Sequence, residues 1–272
     1  MTDLTGDVEQ PAVRRASARS INTRYWLRLS ATRLAVLVVT LGLWELASGR
    51  LIEPFWVSSP AAIIGRLLSW LPTETFWLHL QVTLVETVAG FIAGTLCGVL
   101  LGLVLGMNRY IAEVLDPFIV ALYSLPKVAL APLFILWFGI GIFSKIVLVS
   151  FGVFFLMFYN TFSGVTSVDR DLVDSLRLMG AKRWQIAKTV IMPATMVWIF
   201  TGMKVSVPYA LIGAVVGEML ASNRGIGYLV QSSAGQYDTT GVFAALTVLM
   251  VISVSIQSFL KYSESVFLHW RE

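Results

Sequence analysis

Four ionisable residues lie inside long apolar runs of this sequence: Lys127, Lys204, Glu45 and Glu86. A charge at the centre of a bilayer costs about 2.5–3.5 kcal/mol on insertion scales, so such groups usually face a protein interior or a water-filled path. The two lysines are therefore candidates to attract an anionic solute as it crosses a membrane. The alternative is that they pair with Glu86 or with a carbonyl freed near Pro126 or Pro208, or that they extend to an interface.

Other kinds of chemistry have little support in the sequence. It contains no G-x-x-x-x-G-K-[ST] phosphate-binding loop, so the chain is not expected to bind ATP in that manner. Its two histidines, His79 and His269, lie near opposite ends of the chain, and no H-E-x-x-H motif occurs. Neither a metal site nor a hydrolytic site is expected, and the chain is predicted not to be an enzyme. Energy for moving a solute must then come from a partner or from a gradient.

The composition indicates a membrane protein. Hydrophobic residues make up 57% of the chain and charged residues 13%, whereas soluble domains carry about 25% charged residues. We therefore predict an all-α polytopic membrane protein. Residues 1–32 are predicted to be a polar, basic cytoplasmic tail, and residues 33–272 the transmembrane domain. The net charge of +4 does not indicate a nucleic-acid partner, because the basic residues cluster by membrane side.

Six membrane spans are predicted from the apolar runs. They are Leu34 to about Ser48, about Leu80 to Met107, Phe118 to Phe138, Phe143 to Phe162, Ala194 to Val216, and Gly241 to about Leu260. Residues 50–79 are rich in proline and aromatic residues, which predicts an interfacial loop with a helix from Pro60 to Leu71, or alternatively a re-entrant segment. Residues 108–117 are predicted to form a turn, and residues 217–240 an external loop with a short helix.

Prolines interrupt the third predicted span. Pro126 and Pro132 flank Lys127, and a proline inside a span frees carbonyls that protein or a water-filled cavity must satisfy. We therefore include Tyr123, Pro126 and Lys127 in a candidate translocation path, together with Glu86 and Lys204.

Glycines repeat every four residues along the second predicted span, at Gly90, Gly94, Gly98, Gly102 and Gly106. At 3.6 residues per turn these positions share one slowly drifting helix face. In a membrane, such a face allows another helix to approach closely. The repeat therefore predicts helix packing rather than a binding site.

Residues 169–193, DRDLVDSLRLMGAKRWQIAKTVIMP, form the longest charged segment between two apolar runs. Apolar residues at helical spacing predict a short amphipathic helix from Asp171 to Met179. Gly180 follows, where a left-handed C-terminal cap is expected. A second apolar stripe predicts another helix and then a break, after which Pro193 fits the first turn of the next membrane helix. An ordinary solvated loop is the alternative to this pair of surface helices.

The spacing in this segment resembles the EAA loop of ABC-importer permeases, roughly E-A-A-x-x-x-G, nine residues, then I-x-L-P. Here it reads Asp174-Ser175-Leu176-x-x-x-Gly180 and then Val190-Ile191-Met192-Pro193. The departures are Asp for Glu, Ser-Leu for Ala-Ala, and Met for Leu. In that family this loop is the coupling helix, which sits in a groove of a cytoplasmic ATPase. The resemblance gives this coupling role to Asp171, Asp174, Ser175, Leu176, Gly180, Ala181 and Pro193.

The resemblance extends over roughly residues 55–260, through residues 115–145 and 217–229 in particular. These stretches are similar to permeases of the sulfonate, taurine and nitrate type, whose relatives carry aromatic acids and pyrimidine-like compounds. The resemblance implies a homodimeric inner-membrane subunit, a cytoplasmic ABC ATPase dimer that binds ATP and Mg, and a periplasmic or extracellular substrate-binding protein. It implies no cofactor in this chain, and import of a small anionic organic solute by alternating access.

The distribution of the 20 Lys and Arg residues indicates the orientation. Most of them fall on one side if both termini and residues 169–193 are cytoplasmic, which the positive-inside rule favours. The few assigned to the outside are Arg50, Arg66, Lys145 and Arg224. With this orientation, the resemblance implies a multi-pass protein of the bacterial inner membrane. The alternative function is a gradient-driven carrier or channel without an ATPase, which broken helices and intramembrane charges also fit.

Overall fold

A computed structural model describes residues 11–267 of the chain, and describes side chains from Tyr25 onward except those of Arg109 and Arg170. His269 and residues 1–10 of the predicted tail lie outside this range. The described residues form helices with short connections, as the composition predicts. The chain divides into two compact units, with the division between Ala62 and Ile63.

The first unit contains α1 (Pro11–Ala47) and α2 (Pro54–Val57). Residues Tyr25–Ala47 are long and apolar enough to cross a membrane, so the candidate span begins earlier than the predicted Leu34. Within this unit the Glu45 carboxylate accepts a hydrogen bond from the backbone N–H of Ala61 at 2.9 Å. This bond gives the intramembrane Glu45 a partner close to the end of α1.

The remaining helices follow in chain order. They are α3 (Pro60–Trp70), α4 (Glu74–Gly106), α5 (Arg109–Tyr123), a 3₁₀ turn (Lys127–Leu130), α6 (Ala131–Phe138), α7 (Ile142–Thr166), α8 (Arg170–Leu178), α9 (Arg183–Ile186), a π turn (Ala187–Ile191), α10 (Met192–Ala221), α11 (Ile226–Gly235) and α12 (Thr239–Phe267).

Five helices of the described residues are long and apolar enough to cross a membrane, or six if a bent pair counts as one span. The bent pair corresponds to the third predicted span, but its bounds differ from the prediction. Residues 108–117, predicted to form a turn, are mostly the first half of α5, which contains Pro117. The chain instead bends by 74° between Tyr123 and Lys127. Pro126 lies at this bend, where it donates no backbone hydrogen bond.

The core of the second unit is built on α4, α7 and α10, and α7 lies between the other two. The glycines of α4 lie against α7. A Cβ added at Gly90 would be 2.5 Å from Val149 Cβ, and one at Gly106 would be 2.9 Å from Val165 Cβ. The residue numbers of the contacting pairs increase together on the two helices, so α4 and α7 run parallel. Their backbones approach closely only because these positions lack side chains.

The third core helix, α10, runs antiparallel to α7, since Gly213 lies against Val149 and Gly202 against Asn160. The core therefore has two ends. One end holds the C-termini of α4 and α7 and the start of α10, next to residues 169–193. We call the opposite end the distal end. There α10 continues to Ala221, so Gly217 and Glu218, predicted to begin an external loop, are buried in its last turns.

Candidate functional site

Residues 169–193, which we call the coupling segment after the role that the resemblance implies, begin with a capped surface helix. Asp169 is the N-cap of α8, and its carboxylate accepts a hydrogen bond from the Asp171 N–H at 2.9 Å. This satisfies one of the free donors at a helix start. On the exposed side, Arg177 pairs with Asp174 at 2.9 Å, one turn apart. Asp174, which occupies the acidic position of the EAA pattern, is thus exposed at the surface of the segment.

Gly180 ends α8 in the left-handed conformation that its position predicts, with φ of +82°. Its N–H donates to the Arg177 carbonyl at 2.9 Å, and the Ala181 N–H donates to the Leu176 carbonyl at 3.0 Å. These two bonds form a Schellman motif, which satisfies carbonyls that the helix end leaves free. Leu176 and Ala181 are therefore linked through backbone bonds across the glycine.

The second half of the segment differs from the prediction. We expected a break before Pro193, but the helix is continuous from Arg183 to Ala221. A π turn directly before Pro193 allows the helix to continue. In this turn the Met192 N–H donates to the Ala187 carbonyl, five residues back. A π turn is an insertion that a helix tolerates without ending. The coupling segment is therefore joined to the membrane helix α10 by a continuous helix.

Large apolar side chains of the coupling segment point into solvent. Leu178 is 90% exposed, Met179 82%, and Trp184 is exposed as well. The helix α8 also borders a cavity of about 440 Å³, whose wall includes Val173 and Arg177. Exposed apolar surface of this kind, rimmed by charged residues, is typical of a site for another protein.

Lys127 lies at the bend between α5 and α6, among aromatic rings. Its ammonium donates a hydrogen bond to the Tyr123 carbonyl, which is one of the carbonyls that the bend frees. It also lies 4.7 Å from the centre of the Tyr123 ring and 5.8 Å from that of Phe155. Tyr159 packs on Tyr123, with ring centres 4.9 Å apart. Among the described residues, no carboxylate pairs with this lysine.

Lys204 has a different environment. Its ammonium lies 2.8 Å from the carboxylate of Glu264 on α12. The pairing alternative that the sequence left open therefore applies to Lys204, although its partner is Glu264 rather than Glu86. Neither lysine pairs with Glu86, so the structure does not bring the five predicted path residues together into one site.

Glu86 belongs to a buried charged cluster at the distal end. Glu86 of α4 and Glu218 of α10 are fully buried, and Lys145 of α7 is 4% exposed. The Lys145 ammonium lies 3.4 Å from Glu86 Oε1 and donates to Ser222 Oγ at 2.9 Å. Lys145, assigned to an outside connection from the sequence, is thus inside the core. Gly217 makes room for it, because a Cβ there would be 2.9 Å from Lys145 Cγ.

The Glu218 carboxylate fastens α11 to the core. It accepts a hydrogen bond from Thr83 Oγ1 at 2.6 Å and another from the Gly227 N–H at 2.6 Å. Thr83 in turn accepts from the Ile226 N–H at 2.7 Å. The first two donors at the start of α11 are thereby satisfied. The sequence indicated the segment GEMLASNRGIGYL as distinctive, but gave no sign that its glutamate is buried.

Replacing Glu218 with Gln is expected to destabilise the protein by about 1–3 kcal/mol, the cost of leaving a buried polar group unsatisfied. The amide nitrogen would face either the Gly227 N–H or the Thr83 hydroxyl, and both are donors here. Thermal unfolding of the purified full chain in detergent measures the change. Glu53→Gln, which alters an exposed carboxylate that makes no side-chain capping bond, is the control and should unfold close to wild type. Equal unfolding temperatures for the two variants would contradict the prediction.

The apolar helical core, the exposed helices of residues 169–193 and the broken α5–α6 span are together typical of a membrane transport subunit. The family model described as "Binding-protein-dependent transport system inner membrane component" matches residues 94–266, and the chain belongs to this family. It is therefore a permease of an ABC importer and a non-catalytic subunit of the inner membrane. In such a system ATP is bound by a partner ATPase, and a binding protein is the other partner. The gradient-driven alternative is excluded.

Curated relatives cover most of this chain. It is 33% identical to the formylaminopyrimidine transport permease protein of Halalkalibacterium halodurans, over 85% of this chain and 92% of that one. It is 37% identical to the riboflavin transport system permease protein of Chloroflexus aurantiacus, over 79% and 81%. It is 29% identical to the taurine transport system permease protein of Escherichia coli, over 84% of each chain. These relatives carry chemically different solutes, so they do not fix the substrate.

Solved structures share the fold. A bacterial ABC transporter involved in the import of alginate aligns with a TM-score of 0.60 at 14% identity, over 93% of this chain and 99% of that one. The inward-facing MetNI methionine transporter aligns with a TM-score of 0.56 at 20% identity, over 71% and 94%.

Proposed function

We propose that the chain is one half of a homodimeric permease that moves a small anionic organic solute into the cytoplasm by alternating access. In this proposal an ABC ATPase dimer binds the coupling segment, residues 169–193. A periplasmic or extracellular binding protein delivers the solute from the other side, and both termini are cytoplasmic.

The state of Lys127 is the observation that supports an anionic solute. Its ammonium has aromatic and carbonyl partners but no carboxylate partner among the described residues, and it lies at the bend of a broken span. Broken spans place polar groups where a solute passes. A lysine without a carboxylate partner there favours an anion, and the neighbouring Tyr123 and Phe155 rings favour an organic one. Lys204 is neutralised by Glu264, so the proposal rests on Lys127.

The exposure of the coupling segment supports its proposed role as the binding site of the partner ATPase. Its exposed apolar residues, including Leu178 and Met179, are available to a partner. The continuous helix from Arg183 into α10 gives a displacement of the segment a direct route to the membrane core. The Lys and Arg distribution supports its cytoplasmic position. The homodimer follows from the resemblance to homodimeric permeases, and the mass of the purified complex tests it, because two copies of this chain are expected per particle.

Replacing Lys127 with Met is expected to lower uptake of an anionic solute at least about tenfold, equivalent to losing roughly 1.4 kcal/mol of interaction. The variant removes the charge and keeps most of the side-chain volume. Uptake is measured in proteoliposomes that contain the complete transporter, with an aliphatic sulfonate as the anionic solute and with taurine, a formylaminopyrimidine and riboflavin for comparison.

Two further variants make the Lys127 result specific. Lys127→Arg retains the charge and should retain most uptake. Lys204→Met removes a lysine that already has a carboxylate partner, so its effect on uptake should be small. If Lys127→Met is inserted normally and transports like wild type, Lys127 does not lie on the path of the solute.

A further inference from the structure

The charges of the distal cluster do not balance. Two carboxyl groups, Glu86 and Glu218, share one ammonium group, Lys145, and all three side chains are nearly or fully buried. The two carboxyl groups also interact with each other. If both were ionised, the cluster would hold one uncompensated negative charge inside the membrane core. A buried charge without a partner is among the most costly features a protein can contain.

No other described group near the cluster supplies the missing positive charge inside the core. His79 of α4 accepts a hydrogen bond at Nδ1 from the Gly225 N–H at 2.9 Å, so its Nδ1 carries no proton and the ring is neutral. Arg224, in the connection between α10 and α11, is exposed to solvent. On α7 the cluster faces Lys145, and α11 contributes backbone N–H groups. Lys145 is therefore the one buried cation of the described cluster.

The hydrogen bonds show which carboxyl group is the anion. Glu218 accepts one bond at each oxygen, from Thr83 and from Gly227. These are the bonds that stabilise a carboxylate. Glu86 accepts no hydrogen bond at either oxygen, and its contact with Lys145 is an ion-pair distance of 3.4 Å. A fully buried carboxyl group whose one cationic neighbour lies at 3.4 Å and must also balance a second carboxylate is better accommodated as a neutral acid.

We propose that Glu86 binds one proton, and that this proton keeps the distal end of the permease core closed. With Glu86 neutral, Glu218 and Lys145 balance each other. When Glu86 releases its proton to water, a second carboxylate forms beside Glu218, and the two anions repel. Glu86 belongs to α4 and Glu218 to α10, so the repulsion separates these helices and loosens α11, which Glu218 and Thr83 fasten to the core. The orientation in the proposed function makes this the external end.

A cavity beside the cluster provides a route for the proton. It has a volume of about 240 Å³ and is lined by Glu86, Lys145, Ser222, Arg224 and other residues of the distal end. This is room for several water molecules. The exposed Arg224 and Asn223 lie at its rim, so water that enters there could accept the proton from Glu86 once the side chain turns toward the cavity.

Infrared difference spectroscopy tests the bound proton directly. The purified full chain in an ester-free detergent should show the carbonyl stretch of a protonated carboxylic acid at neutral pH. Glu86→Gln should remove this band, and Glu45→Gln, which alters another intramembrane glutamate, should not. A neutral-pH spectrum in which Glu86→Gln causes no loss would overturn the proposal. This measurement does not depend on solute, ATPase or orientation, so it can fail while the proposed function stands.

Thiol labelling tests the closing effect. Val82→Cys places a thiol on the cavity wall, in a chain whose native cysteine is removed by Cys97→Ser. The rate of reaction with a water-soluble maleimide is compared between this protein and the same protein carrying Glu86→Gln, in which the proton cannot be released. Both proteins carry the same cysteine, so the pH dependence of the thiol's reactivity cancels in the ratio of the two rates. The rate with Glu86 divided by the rate with Glu86→Gln should rise severalfold between mildly acidic and alkaline pH. A constant ratio would disprove that the proton on Glu86 keeps the distal end closed.

Discussion

Gly98→Leu is expected to prevent folding of the permease core. A Cβ at Gly98 would lie 2.7 Å from Met157 Cβ, 2.8 Å from the Phe154 carbonyl oxygen and 2.9 Å from the Phe158 nitrogen. Two of these three atoms belong to the backbone and the third is the first atom of a side chain, so none of them moves without a shift of α7. Overpacking commonly costs about 1–3 kcal/mol and more where the backbone must shift, and a leucine adds three further carbon atoms. The yield of monodisperse full chain after extraction from membranes measures the effect.

Gly152→Leu is the matched control for Gly98→Leu. Gly152 is also a helical glycine of the membrane core, on α7, but a Cβ there meets no atom within 4 Å. We expect this variant to be recovered at near wild-type yield, with only the ordinary change of helix propensity. Gly98→Leu should be recovered at less than about a tenth of that yield, because unfolded chain is degraded or aggregates. Equal yields would show that α4 and α7 do not pack through these glycines in the membrane.

These packing glycines were recognisable from the sequence because their pattern is local. A period of four residues places them on one helix face, whatever the partner is. The partner was not recognisable, since α7 begins more than thirty residues after α4 ends. The same reasoning holds for Gly180: a glycine directly after a short amphipathic helix predicts the left-handed cap without knowledge of the rest of the fold.

The distal cluster could not be predicted, because it depends on pairing across long distances in sequence. Glu86, Lys145 and Glu218 come from three helices. Hydrophobicity alone does not show which charged residues near the end of an apolar run are buried. The sequence counts Lys145 with the outside residues, although it lies in the first turn of the predicted fourth span, and it puts Glu218 after the fifth span. Both side chains can be buried because the fold gives each of them a partner from another helix, Glu86 for Lys145 and Thr83 for Glu218.

The predicted break before Pro193 is wrong, because the sequence does not show how the backbone hydrogen bonds are rearranged around the proline. A proline usually indicates a helix start or a kink, because it donates no N–H. The sequence does not show that one extra residue in a π turn can carry the helix past it, as the Met192 to Ala187 bond does here. The result matters for function, because a continuous helix from Arg183 transmits motion differently from two helices joined by a flexible break.

Gly180→Leu is expected to uncouple solute uptake from ATP hydrolysis while the chain still folds. A Cβ at Gly180 meets no atom within 4 Å, so the substitution causes no clash. Its effect is confined to the backbone: at φ of +82° a side chain costs roughly 1–2 kcal/mol. The exposed segment relieves this strain by opening the Schellman motif that links Leu176 to Ala181, and α8 then loses its fixed angle to the helix that enters α10.

The measurement compares uptake and ATPase activity in proteoliposomes that contain the full transporter. In the Gly180→Leu protein, uptake should fall at least about tenfold, with unchanged thermal stability and continuing ATP hydrolysis. Gly180→Asn is the matched control, because asparagine tolerates the left-handed conformation, and it should keep most of the uptake. If leucine and asparagine behave alike, the left-handed cap is not what transmits force. If Gly180→Leu fails to assemble with the ATPase, the segment is a docking site whose shape matters more than its stiffness.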